Sequence, residues 1–310
     1  KNIMIKAYEK YGINDNLKVS EKIKENALID CYNISEEELD EIVKELSIDR
    51  NQLKEILERT LPSVGTRKGF SFIVFSCAIK KDDKWDIGTI KIIIRGRYIL
   101  VFRDEEIEAL NDFFYNKIKD FDTRKKVRLT IQILGNIVEY FTIYVEEIGK
   151  KKEILEKELF KTHEALIIQE LIDMSETLLK FEDGLIGNLK VFREILKGKY
   201  LKIYESDRIY IEELDIDLEE AKDLVDLHLR TLVNIIGAHT SVLSNNLGEI
   251  VKVLTSLTVI LMLPALLSSY YGMNVKLPLQ NSNFAFSFLI IVSLLLSFTA
   301  FLIFRKYKWI

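Results

Sequence analysis

The sequence predicts an α+β membrane protein: an N-terminal α/β cytoplasmic domain, then long helices, the last of which continues into the first of two transmembrane helices. Three observations predict it. The first is a partition of charge. The 310 residues are 30% charged with a mean hydropathy of only +0.07, yet no acid follows Glu249, and the last 61 residues hold only Lys252, Lys276, Arg305, Lys306 and Lys308. Residues 1–249 therefore carry 39 bases against 48 acids, a formal −9, and the tail carries +5. The second is a pair of stretches, residues 253–275 and 277–304, with no charged side chain; each exceeds the ~20 apolar residues that a helix needs to cross the hydrocarbon core. The third is a heptad-type seam that runs into the first stretch without a break.

The elements follow in chain order. Residues 1–103 read as a mixed α and β subdomain. Residues 27–32 are a strand, and Asn33-Ile34-Ser35-Glu36-Glu37-Glu38 has Ser35 as N-cap with Glu38 at the capping-box position. Residues 70–79, 87–94 and 98–102 are rich in Ile, Val and Phe, and the last two, joined by Arg95-Gly96-Arg97, read as a hairpin. Residues 104–206 form a helical subdomain with breaks near 121–123, 160–162 and 198–206, and its Lys and Glu at helical spacing mark solvated faces.

Residues 207–251 form a stalk helix. Leu214, Leu218, Ala221, Val225, His228, Leu232, Ile235, His239, Val242 and Asn246 are separated alternately by four and three residues, and such a seam is buried either on preceding helices of the same chain or among several copies around an axis. With no proline before Pro264, one helix of about 55 to 60 residues links cytoplasm to membrane.

Residues 252–271 and 284–304 are the spans. Two spans return the chain to its starting side, and the basic tail, residues 305–310, marks that side as cytoplasmic by the positive-inside bias. The outer loop, residues 272–283, is too short to fold alone. The first span carries more hydroxyls than the second and has Pro264 in its interior. Its positions Leu254, Thr258, Met262, Ala265 and Ser269 recur at four, four, three and four, a stripe suited to a narrow, partly hydrophobic conduit. The rival reading of these hydroxyl and small residues is plain helix packing.

Several functions are excluded. A −9 domain is no nucleic-acid binder, no Walker pattern calls for a nucleotide, and no constellation of nucleophile and base calls for an enzyme. Neither span has an ionisable residue inside it, which disfavours a proton-coupled carrier. Cys31 and Cys77, 46 positions apart with no histidine beside them, read as buried thiols. The opening residues show no pattern of a secretory leader.

At the outer end of the first span stands Tyr270-Tyr271-Gly272-Met273-Asn274, followed by a short loop, a second span and a terminal Lys-Trp. This arrangement resembles the CorA family of magnesium transporters, whose signature is the Gly-Met-Asn triplet. Residues 249–255, Met262 with Pro264, and the strand-to-helix segment 28–35 are similar to the family as well. The resemblance implies a homopentamer in the cell (plasma) membrane, multi-pass, with both termini cytoplasmic, a funnel of long helices, and a pore lined by the first span of each subunit. Gly272, Met273 and Asn274 would be the selectivity filter for hydrated Mg²⁺, Gly272 letting the backbone turn at the helix end. Leu254 and Met262 would narrow the pore, and Thr258, Ala265 and Ser269 complete its lining. The chain departs from the family in an outer loop with Lys276 and no acid, and in Gly248 where a pore-lining Asn is common.

The resemblance also implies potential-driven uptake and gating by cytoplasmic Mg²⁺ held on carboxylates between subunits. Candidate sensors are Asp82, Asp83 and Asp86 on a strand connection, and Glu212, Glu213, Asp215 and Asp217 near the start of the stalk. Solvated surface is the competing reading of both clusters. His228 and His239 on the seam read as core or interface residues. Transport of Co²⁺, Ni²⁺ or Zn²⁺, or a membrane-anchored coiled-coil scaffold, are the alternative functions.

Overall fold

Seven strands form one sheet in the order β2-β1-β3-β7-β6-β5-β4, comprising β1 (Ile5–Glu9), β2 (Lys18–Ser20), β3 (Leu28–Tyr32), β4 (Ser63–Arg67), β5 (Phe70–Lys81), β6 (Lys84–Arg95) and β7 (Tyr98–Arg103). The computed structural model describes residues 5–162, 165–279, 282 and 284–310. Only β3 and β7 pair in parallel; the other neighbours are antiparallel. Alternation along the strands gives the sheet two buried faces. Ile29, Cys31, Phe72, Ile93, Leu100 and Phe102 point into a core shared with α1 (Glu36–Leu46) and α2 (Arg50–Leu57). Residues of opposite parity, among them Ile73, Phe75, Ile92 and Val101, are buried too, and α4 (Lys126–Thr162) and α5 (Ala165–Leu196) pack against β5 and β6.

The expected strands and the α1 cap are present. Ser35 Oγ accepts from Glu38 N–H, and the Glu38 carboxylate accepts from Ser35 N–H, so two orphan donors of the helix start are satisfied reciprocally. The β5–β6 hairpin turns on Asp82 and Asp83, both left-handed with φ of 48° and 60°. That is the two-residue geometry which suits Asp, Asn and Gly and matches the twist of the strands. Strands β1, β2 and β4 and helix α2 were not anticipated. β2 has three residues and none fully buried, and β4 carries Gly65, where an added Cβ would lie 2.8 Å from the Phe72 ring.

One buried ion pair ties the parallel strands together. Arg103 of β7 donates to both carboxylate oxygens of Asp30 on β3 at 2.8 and 2.9 Å, and the two side chains are 7% and 5% exposed. The guanidinium also lies over the Tyr32 and Phe114 rings, Phe114 closing α3 (Glu108–Phe114). Asn188 of α5 docks on β5: its amide accepts from Ser76 N–H and donates to Ser76 O at 2.8 and 2.9 Å. Close approach is possible because Gly184 stands one turn away; a Cβ there would meet Ile87 at 2.4 Å.

The chain divides into two compact units, Lys1–Ile235 and Ile236–Ile310. Helix α6 (Glu205–Tyr271) contributes to both and has 67 residues, longer than the expected 55 to 60 and about 100 Å at 1.5 Å per residue. Within the first unit the seam is buried from Leu214 to Ile235 except at His228, which is half-buried. It packs on α4, where Leu214 faces Gly135 and the His228 ring fills the notch at Gly149. For this stretch the seam serves packing within the chain. Val242 and Asn246 are exposed.

Removing Asp30 would leave a buried, unpaired guanidinium, a change that costs about 3–5 kcal/mol. Asp30→Ala is expected to lower the thermal midpoint of the full-length protein in detergent by roughly 10 °C, followed by circular dichroism. Adding Arg103→Met should recover most of that loss.

Candidate functional site

In the second unit the end of α6 pairs with α7 (Ala285–Lys306). Both are long and apolar enough to cross a membrane. At 100° per residue, Leu254, Thr258, Met262, Ala265 and Ser269 fall within an arc of about 80°, and all five are exposed. The covered positions, Ser256, Ile260, Leu263, Pro264 and Leu267, centre about 190° away. There Ser297 of α7 donates to Ile260 O at 3.0 Å, and Ala285, Ser293, Ser297 and Ala300 are the half-buried small residues of α7, which allow close approach. The stripe read from the sequence is therefore the face of α6 that α7 leaves open.

Two hydroxyls of this span are committed as donors. Thr258 donates to Leu254 O and Ser256 to Lys252 O, both at 2.8 Å. A hydroxyl whose proton is held by the backbone presents only acceptor lone pairs outward. Thr258 thus offers an oxygen, not a proton, to the open face.

At the outer end the helix closes through Gly272 N–H to Ser268 O at 3.0 Å and Met273 N–H to Tyr270 O at 3.3 Å. Gly272 is not among the residues of positive φ, so it ends the helix without the left-handed conformation usual at such caps. Its missing Cβ would stand 3.4 Å from Ser268 O. Met273 and Asn274 are exposed, and Tyr271 Oη donates to Pro278 O at 3.2 Å, folding the loop back to the helix end. Gln280, Asn281 and Asn283 of the loop lie outside the described residues. At the other end Trp309 stacks on Phe304 at 5.6 Å beside Arg305, Lys306 and Lys308.

The carboxylate clusters belong to the first unit, and several members are already engaged. Asp86 accepts from Lys180 at 2.8 Å; burial would raise its pKa, but the bonds from Lys180 and Ile87 N–H and the Lys180 charge hold it below the ordinary carboxylate value. Glu212 pairs with Arg208 at 3.2 Å, and Asp215 lies 3.4 Å from Arg193. Asp82, Asp83, Glu213 and Asp217 have no ion-pair partner among the described residues. Among the described residues of one chain no group of three His, Cys, Asp or Glu could hold a metal ion, so neither cluster is assembled within a single subunit. The sequence reading missed a groove between α4 and α6, because its two walls are some eighty positions apart.

Cys31 and Cys77 are free and buried. Burial pushes both thiols up, Cys77 to about 12 and Cys31 well above the ordinary value, which makes them inert packing groups. His228 and the buried His239 sit at separate layers of α6.

Comparison with known proteins agrees with this arrangement. The sequence model of the family described as CorA-like Mg²⁺ transporter protein matches residues 24–306. The cobalt/magnesium transport protein CorA of Methanocaldococcus jannaschii is 25% identical over 294 residues, 91% of this chain and 90% of that protein. The magnesium transport protein CorA of Helicobacter pylori is 22% identical over 64% of this chain and 66% of its own. Among solved structures, the complete CorA magnesium transporter of M. jannaschii superposes with a TM-score of 0.86 at 23% identity, covering 100% of both chains. The cytoplasmic domain of ZntB from Vibrio parahaemolyticus shares the fold, with a TM-score of 0.62 at 11% identity over 79% of this chain and 98% of that one.

His228 gives a pH test of its half-buried setting. Burial, then the Lys152 charge, lowers its pKa below the ordinary value, so the folded state binds its proton less readily than the unfolded state. Stability is then full above pH ~6.5 and falls as the solution is acidified below it. The midpoint of thermal unfolding should drop further between pH 7.5 and 5.5 in the wild type than in His228→Gln.

Proposed function

We infer, since the chain belongs to the CorA-like Mg²⁺ transporter family, that it is a channel-like carrier of hydrated Mg²⁺, entering the cell down the membrane potential. The family are membrane ion transporters, so the activity is divalent cation transport and not catalysis. The observation that carries the finer reading is the open face of α6, Leu254 to Ser269, which ends in Gly272-Met273-Asn274. Several copies around an axis, five by the family resemblance, would turn this face inward and α7 outward to lipid.

The chemistry fits the cargo. Mg²⁺ dehydrates reluctantly, so a ring of Asn274 amides and backbone carbonyls can hold its water shell without stripping it. Within the span, committed hydroxyls such as Thr258 offer acceptors to that shell, while Leu254 and Met262 form apolar constrictions that close by dewetting. The driving force needs no nucleotide: a divalent ion gains about 4.6 kcal/mol per 100 mV, twice the ~2.3 of one charge. The basic tail supports cytoplasmic termini.

Gating rests on charge. Asp82, Asp83, Glu213 and Asp217 are the candidate carboxylates without an ion-pair partner among the described residues, and cytoplasmic Mg²⁺ bridging them between subunits would hold the pore shut. When internal Mg²⁺ falls, their repulsion loosens the assembly. Passage of Co²⁺ is a second reading, favoured by the cobalt/magnesium name of the M. jannaschii relative; hydrated ions of equal charge and similar size need no soft ligand.

Two measurements test this. Mg²⁺ uptake into proteoliposomes under an inside-negative potential should fall about tenfold or more in Asn274→Ala, the loss of one charge-assisted hydrogen bond per subunit. The wild type without flux at low internal Mg²⁺ would refute transport of Mg²⁺. Separately, Asp82→Asn/Asp83→Asn/Glu213→Gln/Asp217→Gln should keep flux and lose its inhibition by internal Mg²⁺; unchanged inhibition would sink the sensor assignment.

A further inference from the structure

The basic end of α7 is a folded turn. Lys308 N–H donates to Arg305 O at 3.1 Å and Trp309 N–H to Phe304 O at 2.9 Å. These are the paired bonds of a Schellman cap, and the Trp309–Phe304 stack is the apolar contact that accompanies one. Lys308 supplies the left-handed residue, with a φ of 56°, where Gly is usual. The reversal brings Trp309 back to Phe304, the last residue of the uncharged stretch.

Positive charge gathers at this level. The two spans, joined by a short loop, run in opposite directions and meet where Ser297 donates to Ile260 O. Eight residues lead from Ile260 back to Lys252, and eight from Ser297 on to Arg305, about 12 Å along each helix. Lys252, Arg305, Lys306 and Lys308 therefore stand near one depth, where the apolar spans give way to polar sequence. None of the four has an ion-pair partner among the described residues. The nearest acid in sequence, Glu249, lies about one turn further from the span and makes no ion pair there either.

Uncompensated bases at a membrane boundary attract anionic headgroups. Arg305 can fork two oxygens of one phosphate, and each Lys adds a point charge. Beside them the indole of Trp309, 39% exposed, offers an amphipathic ring of the kind that sits at headgroup level. Free phosphate would use the bases and gain nothing from the ring. A phospholipid uses both.

We propose that this folded end of α7 binds an anionic phospholipid, with its phosphate on Arg305, Lys306 and Lys308 and its acyl chains running past Trp309 and Phe304. Lys252 adds to the field from α6. The site rests on the two spans lying in a membrane and not on the transport reading; it would hold lipid equally in a scaffold.

Trp85 and Trp309 are the two tryptophans of the chain, so emission from the full-length protein in vesicles, less that of Trp309→Phe, reports on the site. Phosphatidylglycerol with brominated chains, which quench on contact, should half-quench Trp309 at a mole fraction about tenfold lower than brominated phosphatidylcholine requires. Arg305→Gln/Lys306→Gln/Lys308→Gln should abolish that preference. Lys308→Gly suits the left-handed turn while removing one base, and should reduce the preference roughly threefold. Lys18→Gln/Lys22→Gln/Lys68→Gln, an equal charge change on the exposed surface of the first unit, should leave it unchanged, as should inorganic phosphate at constant ionic strength. Equal quenching by the two lipids in the wild type, a preference retained in both tail variants, its loss in the distant triple variant, or its abolition by inorganic phosphate would each overturn the proposal.

Discussion

A helix in hydrocarbon satisfies its own backbone but must still account for every face of its surface. For α6 that accounting is lopsided: α7 covers one arc, through small residues and the Ser297 hydroxyl on Ile260 O, and leaves the opposite arc bare. Neither lipid nor a partner copy is a neutral choice for a face that mixes Leu254 and Met262 with Thr258, Ala265 and Ser269. Lipid would accept the apolar members and gain nothing from the rest. An axis shared by several copies gives each type a use, constriction for the apolar and hydration for the hydroxyl. The absence of any charge in this arc fits a cargo that keeps its own water.

The cytoplasmic unit answers a different constraint. Its sheet is buried on both faces and must be anchored without a free edge toward the helices. The Asp30–Arg103 pair fixes the parallel β3–β7 junction, and the Asn188 amide fixes α5 on β5, each by two hydrogen bonds with defined geometry. Bidentate contacts of this kind specify position more than they add stability. They hold the long helices in register with the sheet, and α6 inherits that register through its packing on Gly135 and Gly149.

Much of this was legible in sequence, where the signal is local. The Ile- and Val-rich runs of β5 to β7, the Ser35–Glu38 cap and the two uncharged spans all announce themselves within a few residues. The open stripe was legible because helical periodicity fixes relative angle, although only Ser297 and its neighbours reveal which arc is covered. The short strands β1, β2 and β4 were not, since their exposure or Gly65 hides the alternation. The basic partners of the carboxylate clusters were hidden for a related reason: Lys180 lies 94 positions from Asp86, and Arg193 reaches α6 from a separate helix. Proximity in sequence groups these carboxylates, but only the fold tells the paired Asp86, Glu212 and Asp215 from the rest.

The hairpin tip at Asp82 and Asp83 separates shape from charge. Both residues sit where the backbone demands left-handed geometry, and Asn or Gly would satisfy that demand as well as Asp does. The tip can therefore gain or lose two negative charges with no rebuilding of β5 or β6. A surface whose electrostatics vary freely above a fixed scaffold is a natural place for related chains to diverge in charge.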